Sequence, residues 1–266
     1  MDLLTIRSSS WADLMDCAAR WKARNLLGLR MPTAGAAWTG TSLHHGAAVY
    51  DQAALDGAPV SVDDAAGAMV EKLHHPEEEV VWDDSTPGQI EPIAMRLLTS
   101  YCTDVAPTRD YAAVELACEA LDVEVPEHGV IVRMTGTTDR VRRDGTVGLA
   151  ISDIKSGARA VGTDGRAVTS GHAIQLGAYE LLAEHALGLP VSGPAEIIGL
   201  QTATAARVGT AAVPNARAAL IGTAEQPGMI DIAARMLRND IFPGNPKSML
   251  CSSKYCPIHS TCTYRG

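Results

Sequence analysis

The sequence predicts an α/β domain built on a mixed sheet flanked by helices, in the core order helix, three strands, helix, strand. Three observations carry this reading. Residues 112–125 (AAVELACEALDVEV), 130–136 (VIVRMTG) and 146–155 (TVGLAISDIK) are short, β-branched, partly alternating runs separated by the turn-forming EHG and RRDG, the pattern of an antiparallel meander. Helical text lies on both sides of them. AEIIGLQTA at 195–203 reads as one further strand.

Each element has its own signal. Residues 10–30 carry Trp11, Leu14, Met15, Ala18 and Trp21 at helical spacing behind Ser10 as N-cap, which predicts a helix with Cys17 on or near its buried face. Residues 40–55 predict a second helix opening near Gly40 and Ser42. From 56 to 110 the text is acidic and broken by Pro76, Pro87, Pro92 and Pro107, with helical pieces at 62–73 and 89–103, so it is expected to be an acidic helical insert. Beyond the meander, 170–187 predicts a helix closed by Gly188 and Pro190. The strand at 195–203, an Ala-rich connection at 204–219 and a last helix at 226–238 complete the order. A single domain over 1–266 is expected, with the cysteine-bearing segment 240–266 packing against the N-terminal helix.

Composition sets the limits. Hydrophobic residues at 46% and charged residues at 20% describe an ordinary globular protein, and with aromatics at 4% and one Phe the core must be filled by Leu, Val, Ile, Met and Ala. Neither a run of roughly 18 to 20 apolar residues nor a basic-then-apolar leader is present, so a cytoplasmic protein with no membrane partner is expected. The net charge of −9 disfavours a nucleic-acid partner when read globally. Its distribution reverses that. Residues 51–128 carry −15 and everything else +6, with Arg133, Arg140, Arg142, Arg143, Arg159 and Arg166 gathered between 129 and 170. Cations that neutralise phosphates make binding salt-dependent.

The chemistry is concentrated in GTTDRV (136–141) and SDIKSG (152–157), which put Asp139 and Asp153 on adjacent paired strands. Strand periodicity places Lys155 on the face of Asp153. Two carboxylates beside an ammonium suit phosphodiester hydrolysis, because carboxylates bind hard divalent cations, such a cation activates water, and the ammonium orients it or stabilises developing charge. Glu115 is a third candidate carboxylate. His44 or His45 offers a nitrogen ligand from the second helix. Gln175 and Tyr179, four apart, share a helix face.

Together, GTSLHH, VELACEAL, GTTDRV, ISDIKSG and QLGAY resemble the PD-(D/E)xK nuclease superfamily in its RecB-like branch, which includes CRISPR-associated adaptation nucleases and phage exonucleases. The family's G-x-x-x-H falls on Gly40 and His44, its G-x-x-D-R on Gly136, Asp139 and Arg140, its D-x-K on Asp153 and Lys155, and its Q-x-x-x-Y on Gln175 and Tyr179. The resemblance implies a restriction-endonuclease-like core of order α-β-β-β-α-β. It also implies His44, Asp139, Asp153 and the Ile154 carbonyl as ligands of Mg2+ or Mn2+. Lys155 then handles the attacking water, Glu115 supports it, and Gln175 and Tyr179 face the DNA. Arg140, Arg142 and Arg143 are the expected DNA-binding cations.

Six cysteines in a cytoplasmic chain are read as metal or redox chemistry, or as buried hydrophobes. Cys251, Cys256 and Cys262 form a C-x4-C-x5-C in the last 16 residues, and Cys17 is the candidate fourth ligand. One branch of the same family encloses its nuclease core between one early and three late cysteines that hold a 4Fe-4S cluster. Four thiolates suit such a cluster. Structural zinc held by the three late cysteines with Cys17 or His259 is the alternative. Either would staple the chain ends, a gain of several kcal/mol, about that of a long disulfide. Cys102 and Cys118 are expected to be buried thiols. The resulting expectation is a metal-dependent DNA nuclease, an exonuclease on single strands or DNA ends, working in recombination, repair or phage DNA metabolism with a helicase or recombination protein as possible partner. The alternative is a catalytically idle DNA-end binding or scaffolding module.

Overall fold

The computed structural model describes residues 1–82, 85–145, 148–203 and 206–265. Thr146 and Val147, expected to open the third strand, lie outside the described residues, as do Thr204 and Ala205 of the Ala-rich connection, Asp83 and Asp84 of the acidic insert, and Gly266. The chain begins with β1 (Asp2–Arg7), then α1 (Trp11–Asp16), α2 (Ala18–Asn25), β2 (Thr33–Ala34), α3 (Gly35–Leu55), α4 (Val62–His74), β3 (Val80–Val81) and α5 (Pro87–Ser100). The meander follows as β4 (Tyr111–Val125), β5 (Val130–Asp144) and β6 (Gly148–Gly157), and after it come α6 (Ala173–Leu187), β7 (Ala195–Gln201), β8 (Arg207–Val213), α7 (Ala216–Ile221) and α8 (Met229–Asn239). Among the described residues, no helix is long and apolar enough to cross a membrane.

One mixed sheet runs β1-β5-β6-β7-β8, with β4 paired to β5. The meander is present: β4 is antiparallel to β5 and β5 to β6. The crossover through α6 then makes β7 parallel to β6, and β8 returns antiparallel. β5 is the spine. Its two parts serve different neighbours, β1 along Val130–Thr135 and β6 along Arg140–Asp144, so residues 136–139 lie in a fork where β1 has ended and β6 departs to pair with β7 alone.

Helices cover both faces. Ile154, Ile198 and Leu200 pack under α3, α4 and α5, while Ile151 and Ile197 pack under α6. Burial on both faces explains the near-continuous apolar text of AEIIGLQ. A third cluster joins Leu4, Ile6, Val130, Val132 and Met134 to Trp11, Trp21 and the inner face of α8.

Four expectations need correction. The helix expected over 10–30 is two helices, because Cys17 is extended (φ −155°, ψ 95°) and turns the chain between α1 and α2. The strand at 130–136 continues to Asp144, since pairing with β4 and β6 carries it through the polar stretch. β1 was not expected, because a six-residue strand whose partner starts at Val130 has no hairpin signal, although Leu4 and Ile6 are buried on alternate positions. The connection after 203 contains β8 and α7. The first is a Gly- and Ala-bearing strand set by pairing with β7, and the second is six residues, too short for helical periodicity. In addition, α3 opens at Gly35, earlier than the expected start near Gly40.

Leu98 of α5 is fully buried in the cluster that joins the insert to Ile154 and Ile198 of the sheet. Leu98→Ala is expected to destabilise the whole chain by ~2–5 kcal/mol, seen in urea titrations as one coincident transition in tryptophan fluorescence and circular dichroism. Two separated transitions would show that the insert folds on its own.

Candidate functional site

The fork in the sheet gathers the ionisable groups. Since Arg140 and Ser152 are the last paired residues of β5 and β6, Asp139 and Asp153 are the next residue of each strand as they separate. From α3, His44 reaches in with Nδ1 3.3 Å from Asp139 Oδ2. That helix lies close because Gly40, one turn earlier, has no side chain: a Cβ there would stand 2.7 Å from Ser156 Oγ on β6. From β4 comes Glu115, at a positive φ of 46° that non-glycine residues adopt at a cost of about 1–2 kcal/mol. Ligand atoms of His44, Glu115 and Asp139 all lie within 4.8 Å of one another.

Backbone and charge hold the carboxylates. Asp139 Oδ2 accepts the Ile154 N–H at 2.8 Å, and Lys155 Nζ stands 2.8 Å from Asp153 Oδ2. Asp153 is almost wholly buried, and its Oδ1 has no hydrogen-bond partner among the described residues. Burial, with Asp139 beside it, raises the Asp153 pKa against the pull of Lys155. For Asp139 burial acts in the same direction, yet the charge and hydrogen bond of His44, with Lys155 and Arg140, outweigh it and hold the carboxyl below the usual range. Burial and Asp139 push Glu115 up.

Behind these groups Arg140 is completely buried. Its Nε donates to Asp51 Oδ2 at 2.6 Å, and its Nη1 donates to Glu115 Oε1 at 2.9 Å and to the Asp139 carbonyl at 2.6 Å. Asp51 also accepts the Tyr101 hydroxyl at 2.6 Å, and Tyr101 meets Tyr111 at 3.1 Å.

The family model for the PD-(D/E)XK nuclease superfamily matches residues 8–263. The chain belongs to that superfamily. Its members hydrolyse phosphodiesters with divalent metal ions. Among solved structures, a protein of Eubacterium rectale named as a candidate exonuclease is similar at a TM-score of 0.52 and 13% identity, over 91% of this chain and 84% of its own. SSO0001 is similar at 0.45 and 13% identity, over 98% and 87%. At these identities the likeness is one of fold. No curated protein matches.

Against this superfamily's motifs, the structure brings His44, Glu115, Asp139, Asp153 and Lys155 together. His45 lines the same cleft outside the group that His44 completes. The expected DNA cations are placed otherwise. Arg140 is consumed inside the fold, because its guanidinium is the internal counter-charge of two carboxylates. Arg142 is tied to Asp144, Glu196 and the Pro194 carbonyl, and Arg143 to Asp110; neither lines the cleft of His44 and Lys155. Gln175 and Tyr179, expected to face DNA, are buried and bonded to each other at 3.0 Å, with the Tyr179 ring packed beneath Gly136.

Two groups were not anticipated. Asp51 lies seven residues after His44, two turns along the same face of α3, so helical spacing carried a signal for it. His172, at the N-cap of α6, is pushed down to about 4 by burial and the nearby Lys155 charge; nothing in the sequence marks it.

In a separate cavity, Cys17, Cys251, Cys256 and Cys262 stand together with Arg20 and His259. Chain ends meet there. Asn245 N–H donates to Cys17 Sγ at 3.4 Å, Ser248 accepts from Arg20 at 3.3 Å, and Trp21 stacks on Phe242 at 6.3 Å between centroids. Cys102 is buried in the insert cluster, and Cys118 is half-buried on β4.

Asp51→Ala leaves the Arg140 charge buried without its closest acidic partner, and should cost ~3–5 kcal/mol. Asp51→Asn, which keeps an acceptor for Tyr101 and Arg140, should cost less. Thermal and urea unfolding of the two variants check this order; equal stabilities would remove the buried ion pair from its structural role.

Proposed function

We propose that this chain is a metal-dependent deoxyribonuclease of the RecB-like branch, acting as an exonuclease on single-stranded DNA or DNA ends. The observation that carries the reading is the buried Oδ1 of Asp153, without a hydrogen-bond partner among the described residues, beside Asp139, whose ligand atom lies within 4.8 Å of those of Glu115 and His44. A buried carboxylate oxygen with no donor calls for a cation, and the oxygen-rich donor set suits Mg2+ or Mn2+. His44, Asp139, Asp153 and the Ile154 carbonyl would hold it. Bound there, the ion would polarise the scissile phosphate and acidify a water.

The chain's own groups do the rest. Lys155, held by Asp153, orients the attacking water and meets charge developing on the phosphate. Asp139 is aimed by the Ile154 N–H, and the charges of Lys155 and Arg140 favour its ionised form. Glu115 is turned toward the group by its left-handed backbone and steadied by Arg140. The name carried by the Eubacterium rectale protein agrees with an exonuclease. Six free cysteines suit the reducing cytoplasm, and repair or recombination beside a helicase is the setting that supplies DNA ends.

Labelled single- and double-stranded DNA should be degraded with Mg2+ or Mn2+ and spared in EDTA. Asp153→Asn should lose more than about 100-fold in rate, beyond the loss expected for a residue that only supports a ligand. Burial raises the Asp153 pKa, the Asp139 charge raises that of His44 against its own burial, and the ion takes both groups deprotonated, so metal affinity should strengthen as pH rises through these pKa values and level off only above them. Cleavage by Asp153→Asn at the wild-type rate would sink the reading, whereas DNA binding without metal-dependent cleavage would leave an end-binding module.

The same proposal extends to a 4Fe-4S cluster on Cys17, Cys251, Cys256 and Cys262. All four line one cavity, and four thiolates suit such a cluster. Anaerobically purified protein should be brown with a broad band near 400 nm. Cys256→Ser should remove the colour and open the chain after about residue 240 to protease. A colourless protein with one equivalent of zinc would replace the cluster by the alternative metal.

A further inference from the structure

The cleft that contains His44, Glu115 and Lys155, about 850 Å³, adjoins a second groove of about 360 Å³ lined by Arg7, Ser9, Gly136, Thr137 and Tyr179. Ser9 belongs to both. Strand β4 also runs through both, contributing Glu115 to the first and Ala117 to the second, where Gly136 and Thr137 of β5 join it. The two therefore form one path across the fork.

Cations along this path differ in one respect. Lys155 is paired with Asp153 and Lys72 with Glu77. Arg7, the exposed last residue of β1, has no ion pair or side-chain hydrogen bond among the described residues. An incoming phosphate meets an unspent guanidinium there, with no internal ion pair to break first, and the hydroxyls of Ser9 and Thr137 stand in the same groove as further donors.

We propose that Arg7, with Ser9 and Thr137, holds the backbone phosphate next to the one being cut, so that the substrate strand runs from the His44 cleft past Ser9 to the end of β1. This rests on the nuclease reading above and makes Arg7 a positioning residue. It contacts backbone and not base, so it adds affinity without sequence preference.

The test measures binding of the full chain to a fluorescent single-stranded oligonucleotide by anisotropy, in Ca2+ in place of the catalytic ion, over a range of salt. One lost phosphate contact should flatten the slope of log affinity against log salt by about 0.7, equivalent to a loss of about fivefold at 0.1 M salt. Arg7→Gln is expected to show both effects, Arg7→Lys to recover most of the slope, and Arg96→Gln, an exposed cation on α5 outside both cavities, to change neither. A wild-type slope in Arg7→Gln, or the same loss in Arg96→Gln, overturns the subsite while leaving the nuclease standing. A wild-type chain that neither binds nor cuts DNA overturns both.

Discussion

A guanidinium sealed inside a protein has to be neutralised and hydrogen-bonded where it lies, because the cost of leaving it unpaired is several kcal/mol. Arg140 does this through Nε and Nη1, which bind Asp51 on α3, Glu115 on β4 and the carbonyl of Asp139 on β5, while Nη2 is buried without a hydrogen-bond partner among the described residues. Three elements distant in sequence are thereby set at fixed separations. The position of α3 follows, and with it the reach of His44. Gly40 permits the same helix to approach β6. The charge that sequence spacing would assign to a DNA phosphate is thus the keystone of the site's own support.

That support keeps several acidic groups close together against their mutual repulsion. The pKa values of Asp139 and Asp153 move in opposite directions because their partners differ: His44 and a backbone N–H on one, a single ammonium on the other. Burial and the neighbouring carboxylate load the second with a cost that a divalent cation relieves. Glu115 carries its share as backbone strain. Such concentrations of unfavourable terms occur where function requires them.

Much of this was legible in the sequence. The meander, the crossover helix and the two-sided burial of β7 follow from strand and helix periodicities, and the D-x-K spacing places Asp153 and Lys155 on one face of β6 because a strand has period two. β1 and β8 were illegible because their partners are distant or their residues small, so only tertiary pairing defines them. Arg140, Arg142 and Arg143 illustrate a different limit. A count of cations gives local charge but not its partners, and each of these three is already matched by an acid within the fold. Arg7, isolated from the others in sequence, has no such match among the described residues.

The meeting of the chain's two ends has a consequence for its biosynthesis. β1 cannot enter the sheet until β5 has been made, and Arg20 waits 228 residues for Ser248. Contacts of such separation slow folding because closure entropy is spent before they form. Translation adds residues in order, so α1, α2 and Cys17 emerge first and are covered last. A growing chain thus carries Trp21, Arg20 and the Cys17 thiol without their late neighbours until residues 242–248 have been made. Burial of the N-terminal helices and docking of that late segment are therefore one event, and a delay in the second leaves the helices exposed.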